Sequence, residues 1–291
     1  MHAVLYPKVC RVGLTPLVAD SKENAMKISL GQFSPTADVF ENLETLDKLA
    51  RQAASEKADM IVFPEESMLS LVQAGDDFAG LVEKGWERFA RQVGLIAASH
   101  SIAVVVGGYE PNETGKPYNT VLAVDANGQE LETYRKIHLY DAFTFKESNR
   151  ISAGDPNQVA TFTYGNLTFG MMTCYDVRFP ELARNLALAG ADVLLVPAAW
   201  YKGENKIDHW QTLLKARAVE NTVWVAAAGT ASNQTIGYSV ILDPLAQPVA
   251  YLEDEPFGLV TGKVGRKKVK NVREYLPVLQ NRRVGVDAPK A

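Results

Sequence analysis

The sequence predicts an α/β domain of mixed sheets with helices outside them, and three observations carry that expectation. Short apolar runs alternate with longer helix-periodic runs from residue 26 to about residue 265. Asn127-Gly128 and Gly165-Asn166 each join two strand-like runs, and such pairs close antiparallel hairpins. No Gly/Ser/Pro-rich linker or composition break interrupts the span, which favours one domain over two.

The elements follow in order. "KISLGQF" reads as a strand, and "ENLETLDKLARQAASEKA" as a helix with Leu43, Leu46, Leu49, Ala50 and Ala53 on one face. "DMIVFPEE" is a buried strand ending at Pro64, a second helix runs from about Leu81 to Ser99, and the strand "IAVVVGGYE" follows. The middle of the chain turns to hairpins, "NTVLAVDANGQELETYRKIHLY" and then "VATFTYGNLTFGMMTCY". Next come the helix "PELARNLALAGA", the strand "DVLLVPAAW", the helix "DHWQTLLKARAVEN" and the strand "TVWVAAAGT". "YSVILDPLAQPVAYL" and "FGLVTGKV" close the pattern. Residues 1–25 read as an extension before the pattern, 26–268 as the domain and 269–291 as a C-terminal arm, with no internal repeat.

Composition narrows the function classes. Hydrophobic residues are 47% and charged residues 22% of the chain, an ordinary globular balance, and a net charge of -4 gives no basis for a nucleic-acid or polybasic membrane surface. Cys10 and Cys174 can build neither a disulfide framework nor a closely spaced zinc or redox pair, so a reducing cytoplasmic setting is expected. No apolar run reaches the roughly 18 residues of a membrane span. Residues 1–25 lack the apolar block and small-residue cleavage site of a signal peptide.

Cys174 is the first candidate for chemistry. It lies where a strand feeds a turn and then a helix whose first turn holds Pro180, and a helix N-terminus favours thiolate. The local sequence alone favours a small buried cysteine over a reactive one. A nucleophilic thiol needs a base, and histidine is the usual one. Of His2, His100, His138 and His209, only His138 is well placed, on the strand-like "KIHLY" where Lys136, His138 and Tyr140 share a face. Glu65 is the carboxylate alternative. It follows "MIVFP" at a strand's C-terminal end, on the face of Ile61 and Phe63, with Glu66 on the other face beside Val62. Burial there would raise its pKa into a range useful for proton transfer. Lys136 could face a developing oxyanion or snorkel to the surface. Glu147 in "FTFKESN" carries no signal of its own.

Together these segments resemble the nitrilase superfamily of carbon–nitrogen hydrolases. Its Glu–Lys–Cys pattern is matched in order by "VFPE", "YRKIHLY" and "MTCYDVRFPEL", with "FKES…SAGD", "LLVPAAW", "HWQTLLKARAVENTVWVA" and "GYSVILDP" in support, over about Met26 to Val264. The resemblance implies a four-layer α-β-β-α sandwich that pairs into a homodimer or larger homo-oligomer, with the arm "VREYLPVLQNRR" on a neighbouring subunit. It implies Cys174 as nucleophile, Glu65 as general base, Lys136 and the Tyr175 N–H as oxyanion donors, and Glu147 as the group that orients Lys136. It implies no metal or organic cofactor. "DPLAQPV" departs from the family in lacking a glycine often found after that Asp-Pro.

"CYDVRFPEL" resembles the amidase branches, which include ω-amidase and deaminated-glutathione amidase, more than true nitrilases. The expected partner is a small amide bearing a carboxylate, with ammonia released from a thioester. Arg178 could pair with that carboxylate or hold the turn through Asp176 or Glu181, and Tyr140 and Tyr175 could line the pocket. N-carbamoyl amide hydrolysis and nitrile hydrolysis use the same catalytic set. A non-catalytic binding protein is the reading from another class, and it leaves the full Glu65–Lys136–Cys174 set without a purpose.

Overall fold

The computed structural model describes residues 25–285, so nearly all of the expected N-terminal extension, including Cys10, lies outside the described residues. In chain order the elements are β1 (Met26–Phe33), α1 (Val39–Ser55), β2 (Met60–Val62), α2 (Phe78–His100), β3 (Ala103–Glu110), β4 (Tyr118–Val124) and β5 (Glu130–Arg135). A short hairpin, β6 (Asp141–Ala142) and β7 (Phe145–Lys146), links the halves. The second half has β8 (Thr161–Tyr164), β9 (Leu167–Met171), α3 (Pro180–Leu188), β10 (Val193–Ala198), α4 (Lys206–Asn221), β11 (Trp224–Gly229), β12 (Val240–Leu242) and β13 (Pro248–Tyr251). The chain closes with β14 (Phe257–Val264) and α5 (Arg266–Tyr275).

The strands form two six-stranded sheets, ordered β14-β1-β2-β3-β4-β5 and β13-β12-β11-β10-β9-β8. Each has a parallel centre, β1-β2-β3 or β9-β10-β11, flanked by antiparallel strands. The halves thus share a plan that no sequence repeat discloses. Strand alternation sorts the side chains into layers. Ile28, Leu30, Met60, Val62 and Val105 face the second sheet, while Ile61, Phe63, Val104 and Val106 face α1 and α2. Helices α3 and α4 cover the far side through Leu182, Leu186, Trp210 and Leu214. This is the expected α-β-β-α sandwich.

Local chemistry places the helices. Asp38 caps α1 by accepting from the Phe40 N–H at 2.7 Å, and Leu46 and Leu49 are fully buried, each contributing about 1.5–3 kcal/mol. Pro180 opens α3, where its missing N–H costs no bond. Helix α5 runs across the expected boundary at 268/269, and Val269 and Val272 are buried within this chain.

One predicted strand is shorter than expected. The run "ETYRKIHLY" leaves the sheet at Arg135, so alternation no longer governs Lys136, His138 and Tyr140. Buried Asp176 captures the segment instead: its carboxylate accepts from the His138 N–H at 3.0 Å and the Tyr134 hydroxyl at 2.7 Å, and pairs with His138 Nδ1 at 2.8 Å.

Candidate active site

Loops at the carboxyl ends of the parallel strands bring the candidate groups together, the usual rim for sites in open α/β sheets. Glu65 follows β2, Cys174 follows β9, and the Ala199 N–H follows β10. Lys136 arrives from the end of β5, and Glu147 opens a 3₁₀ turn over Glu147–Asn149. Gly107 of β3 makes the approach of Glu65 possible. A methyl group on Gly107 would sit 2.5 Å from the Glu65 carbonyl carbon and closer still to its oxygen.

Cys174 lies on an elbow. Its φ is +46°, a left-handed conformation that costs a side-chain-bearing residue of order 1 kcal/mol and persists only where the surroundings impose it. Asp176 imposes it by accepting the Thr173 N–H at 2.9 Å while it grips the Tyr134–His138 segment. His138 therefore helps to position this loop, stacked on Phe179 at 3.7 Å between ring centroids, and is not the base sought for the thiol.

The polar groups interlock. Lys136, 2% exposed, donates to Glu65 Oε1 at 2.8 Å and to Glu147 Oε2 at 2.9 Å. Asn119 donates to Glu65 at 2.8 Å and to Glu147 at 3.1 Å. Glu65 Oε2 accepts the Ala199 N–H at 2.7 Å, and Glu147 Oε2 accepts the Tyr140 N–H at 2.6 Å. Cys174 lines the same cavity as Glu65 and Lys136. Lys136 thus lies inside, paired with two carboxylates, and does not snorkel outward.

Burial and charge set the protonation states. Burial pulls the Glu65 carboxyl upward, but the charge and hydrogen bond of Lys136 outweigh it and hold the group below its ordinary value. This reverses the expected rise. Burial alone would push the Lys136 ammonium towards neutrality, yet Glu147 and Glu65 hold it well above the ordinary lysine range. Burial, then the Glu65 charge, push the Cys174 thiol up. That also corrects the expectation of a favoured thiolate, because α3 starts six residues later, at Pro180. The resting pair is a neutral thiol beside a carboxylate, which is an arrangement for general-base activation.

These groups open onto a shared cavity. Tyr140 and Tyr175 line it, edge to face at 5.1 Å. Glu66 lines it too, since the chain has left the strand and no longer alternates. Arg178 does not line it. Its guanidinium lies over Trp200 at 4.8 Å and approaches His209 at 3.5 Å, while Asp176 spends its oxygens on Tyr134, His138 and Thr173. Sequence reasoning passed over Asn119, Lys206, Trp200 and Tyr201. Only the approach of remote strands makes them neighbours.

The Carbon-nitrogen hydrolase family matches residues 27–274. The chain belongs to that family. This carbon–nitrogen hydrolase is 37% identical over 263 residues to the deaminated glutathione amidase of Escherichia coli O157:H7, covering 89% of the chain and 97% of the relative. It is 29% identical to mouse omega-amidase NIT2 over 270 residues, 89% of the chain and 96% of the relative. Among solved structures, an amidase from Nesterenkonia sp. AN1 superposes with a TM-score of 0.77 at 27% identity, covering 89% of this chain and 96% of that one. A mutant of that amidase carries the acetamide moiety of fluoroacetamide on its active-site cysteine, at the same TM-score and identity, over 89% and 94% of the two chains. Among the described residues, no helix of this carbon–nitrogen hydrolase is long and apolar enough to cross a membrane.

Proposed function

We propose that this carbon–nitrogen hydrolase is an amidase that releases ammonia from a small carboxylate-bearing amide through a thioester on Cys174. One observation carries the reading: Cys174 lines one cavity with Glu65 and with buried Lys136, which is paired with both Glu65 and Glu147. A structural ion pair would not need a thiol on a left-handed elbow facing the same cavity. The relatives' names, deaminated glutathione amidase and omega-amidase, support the amide class.

The steps follow from the residue types. Glu65 accepts the thiol proton as sulfur attacks the amide carbonyl carbon, forming the C–S bond. The oxyanion that develops is met by the Lys136 ammonium and the Tyr175 N–H, and such donors contribute up to a few kcal/mol each. Glu65 returns the proton to nitrogen, the C–N bond breaks, and ammonia leaves. A water molecule, deprotonated by Glu65, attacks the thioester and yields the carboxylic acid and the free thiol. Glu147 and Asn119 keep Lys136 and Glu65 in register throughout. The expected homodimer or larger homo-oligomer belongs to the same proposal, and light scattering of the purified protein measures it.

Ammonia release tests the reading across ω-amides, deaminated glutathione, N-carbamoyl amino acids, aliphatic amides and nitriles. Turnover of a carboxylate-bearing amide that Cys174→Ala abolishes, with the thermal melt retained, is the expected result. Hydrolysis of none of them, or full activity in Cys174→Ala, would sink it.

A further inference from the structure

The cavity holds a second lysine that the chemistry above does not use. Lys206, the first residue of α4, is 7% exposed and lines the cavity with Cys174, Glu65 and Lys136. Its backbone is pinned by the Trp200 indole N–H, which donates to the Lys206 carbonyl at 2.9 Å. Its ammonium lies in an aromatic cage, 4.9 Å from the Tyr140 ring centroid, 4.5 Å from Phe143 and 5.6 Å from Trp200.

The ammonium has one polar partner, the Tyr140 hydroxyl at 2.9 Å, and makes no ion pair among the described residues. An ammonium has three hydrogens to donate, so two are left for something in the cavity. Withdrawing such a charge from water without a counter-ion is unfavourable, and ring faces compensate only in part. The Tyr140 hydroxyl accepts from Lys206, which leaves its own hydrogen free to donate. An ammonium and an adjacent O–H match the two oxygens of a carboxylate. Glu65 and Glu147 against Lys136 leave the other end of the cavity net negative, which disfavours a ligand of higher negative charge.

The separation is bounded. Tyr140 donates its N–H to Glu147 and holds Lys206 at its hydroxyl, so the ammonium and Glu147 are at most one tyrosine and two hydrogen bonds apart. A short spacer covers that distance.

We propose that Lys206, with the Tyr140 hydroxyl, is the specificity-determining contact for the substrate carboxylate. This rests on the amidase reading above and replaces Arg178, which lies outside the cavity lining, as the carboxylate contact.

The test compares succinamate with butyramide, which has a methyl group in place of the carboxylate. Wild-type protein is expected to prefer succinamate. Lys206→Met is expected to lower the succinamate-to-butyramide ratio of kcat/KM by about 10- to 100-fold, chiefly through the KM for succinamate. Competitive inhibition by succinate weakens in parallel, and Lys206→Arg restores most of the preference. An unchanged ratio, or an equal fall for both substrates, overturns the assignment. Wild type that hydrolyses butyramide but shows no preference for succinamate overturns Lys206 alone. Wild type that hydrolyses neither but turns over another amide of the panel above overturns Lys206 alone; hydrolysis of nothing in that panel, with no acyl group on Cys174, overturns the amidase reading as well.

Discussion

Glu66 offers a quantitative handle on the site's electrostatics. It is buried in the cavity wall, with the Leu71 N–H donating to it at 3.2 Å. Burial first, and the neighbouring Glu65 charge second, push its carboxyl from the ordinary 4.5 up to about 8. Between those values the folded chain keeps a proton that the unfolded chain has released. Stability from this group is therefore fully present below pH 4.5 and is lost as pH rises through about 8. The interval covers about 3.5 pH units at about 1.4 kcal/mol each, a ceiling of about 5 kcal/mol. Glu66→Gln keeps the shape and removes the titration. Urea-unfolding free energies of both proteins, measured from pH 5 to pH 9, should diverge in favour of the variant by about 4 kcal/mol across that range. A difference that stays constant with pH would mean that Glu66 does not hold its proton in the folded chain.

Two further outcomes test how the site is held. Gly107→Ala, which places a methyl group against the Glu65 backbone, should cost about 1–3 kcal/mol in stability. It should also lower kcat/KM about 100-fold by displacing the base; unaltered kinetics would show that Glu65 tolerates the shift. Tyr134→Phe removes a 2.7 Å hydrogen bond to buried Asp176, and thermal melts should register a loss of about 1–3 kcal/mol. Its kcat should fall as the Cys174 elbow loosens. A stable variant with normal kcat would separate Asp176 from the elbow's geometry.

Much of the fold was legible because period-two and helical patterns report burial on one face. β1, α1 and the Gly165-Asn166 hairpin follow directly from them. The pattern ends where a strand ends. Lys136, His138 and Tyr140 read as one strand face, but Asp176, 38 residues beyond His138, pulls that segment out of the sheet. Glu66 likewise turns into the cavity after β2 stops. The Glu65, Lys136 and Cys174 set was legible only as a family pattern, since each residue alone has an ordinary structural explanation. Lys206 was invisible for a different reason. In "GENK" it reads as a turn lysine, and its partner Tyr140 lies 66 residues earlier. The direction of the Glu65 and Cys174 shifts also needed three dimensions, because burial and Lys136 oppose each other there.

Catalysis through a covalent acyl group on Cys174 is tested by intact-protein mass spectrometry of a rapidly quenched reaction. With a hydrolysed amide, the expected result is a mass gain equal to the acyl group, mapped by peptide digestion to Cys174 and absent from Cys174→Ala. Turnover without any adduct, or an adduct carried by another residue, would contradict it.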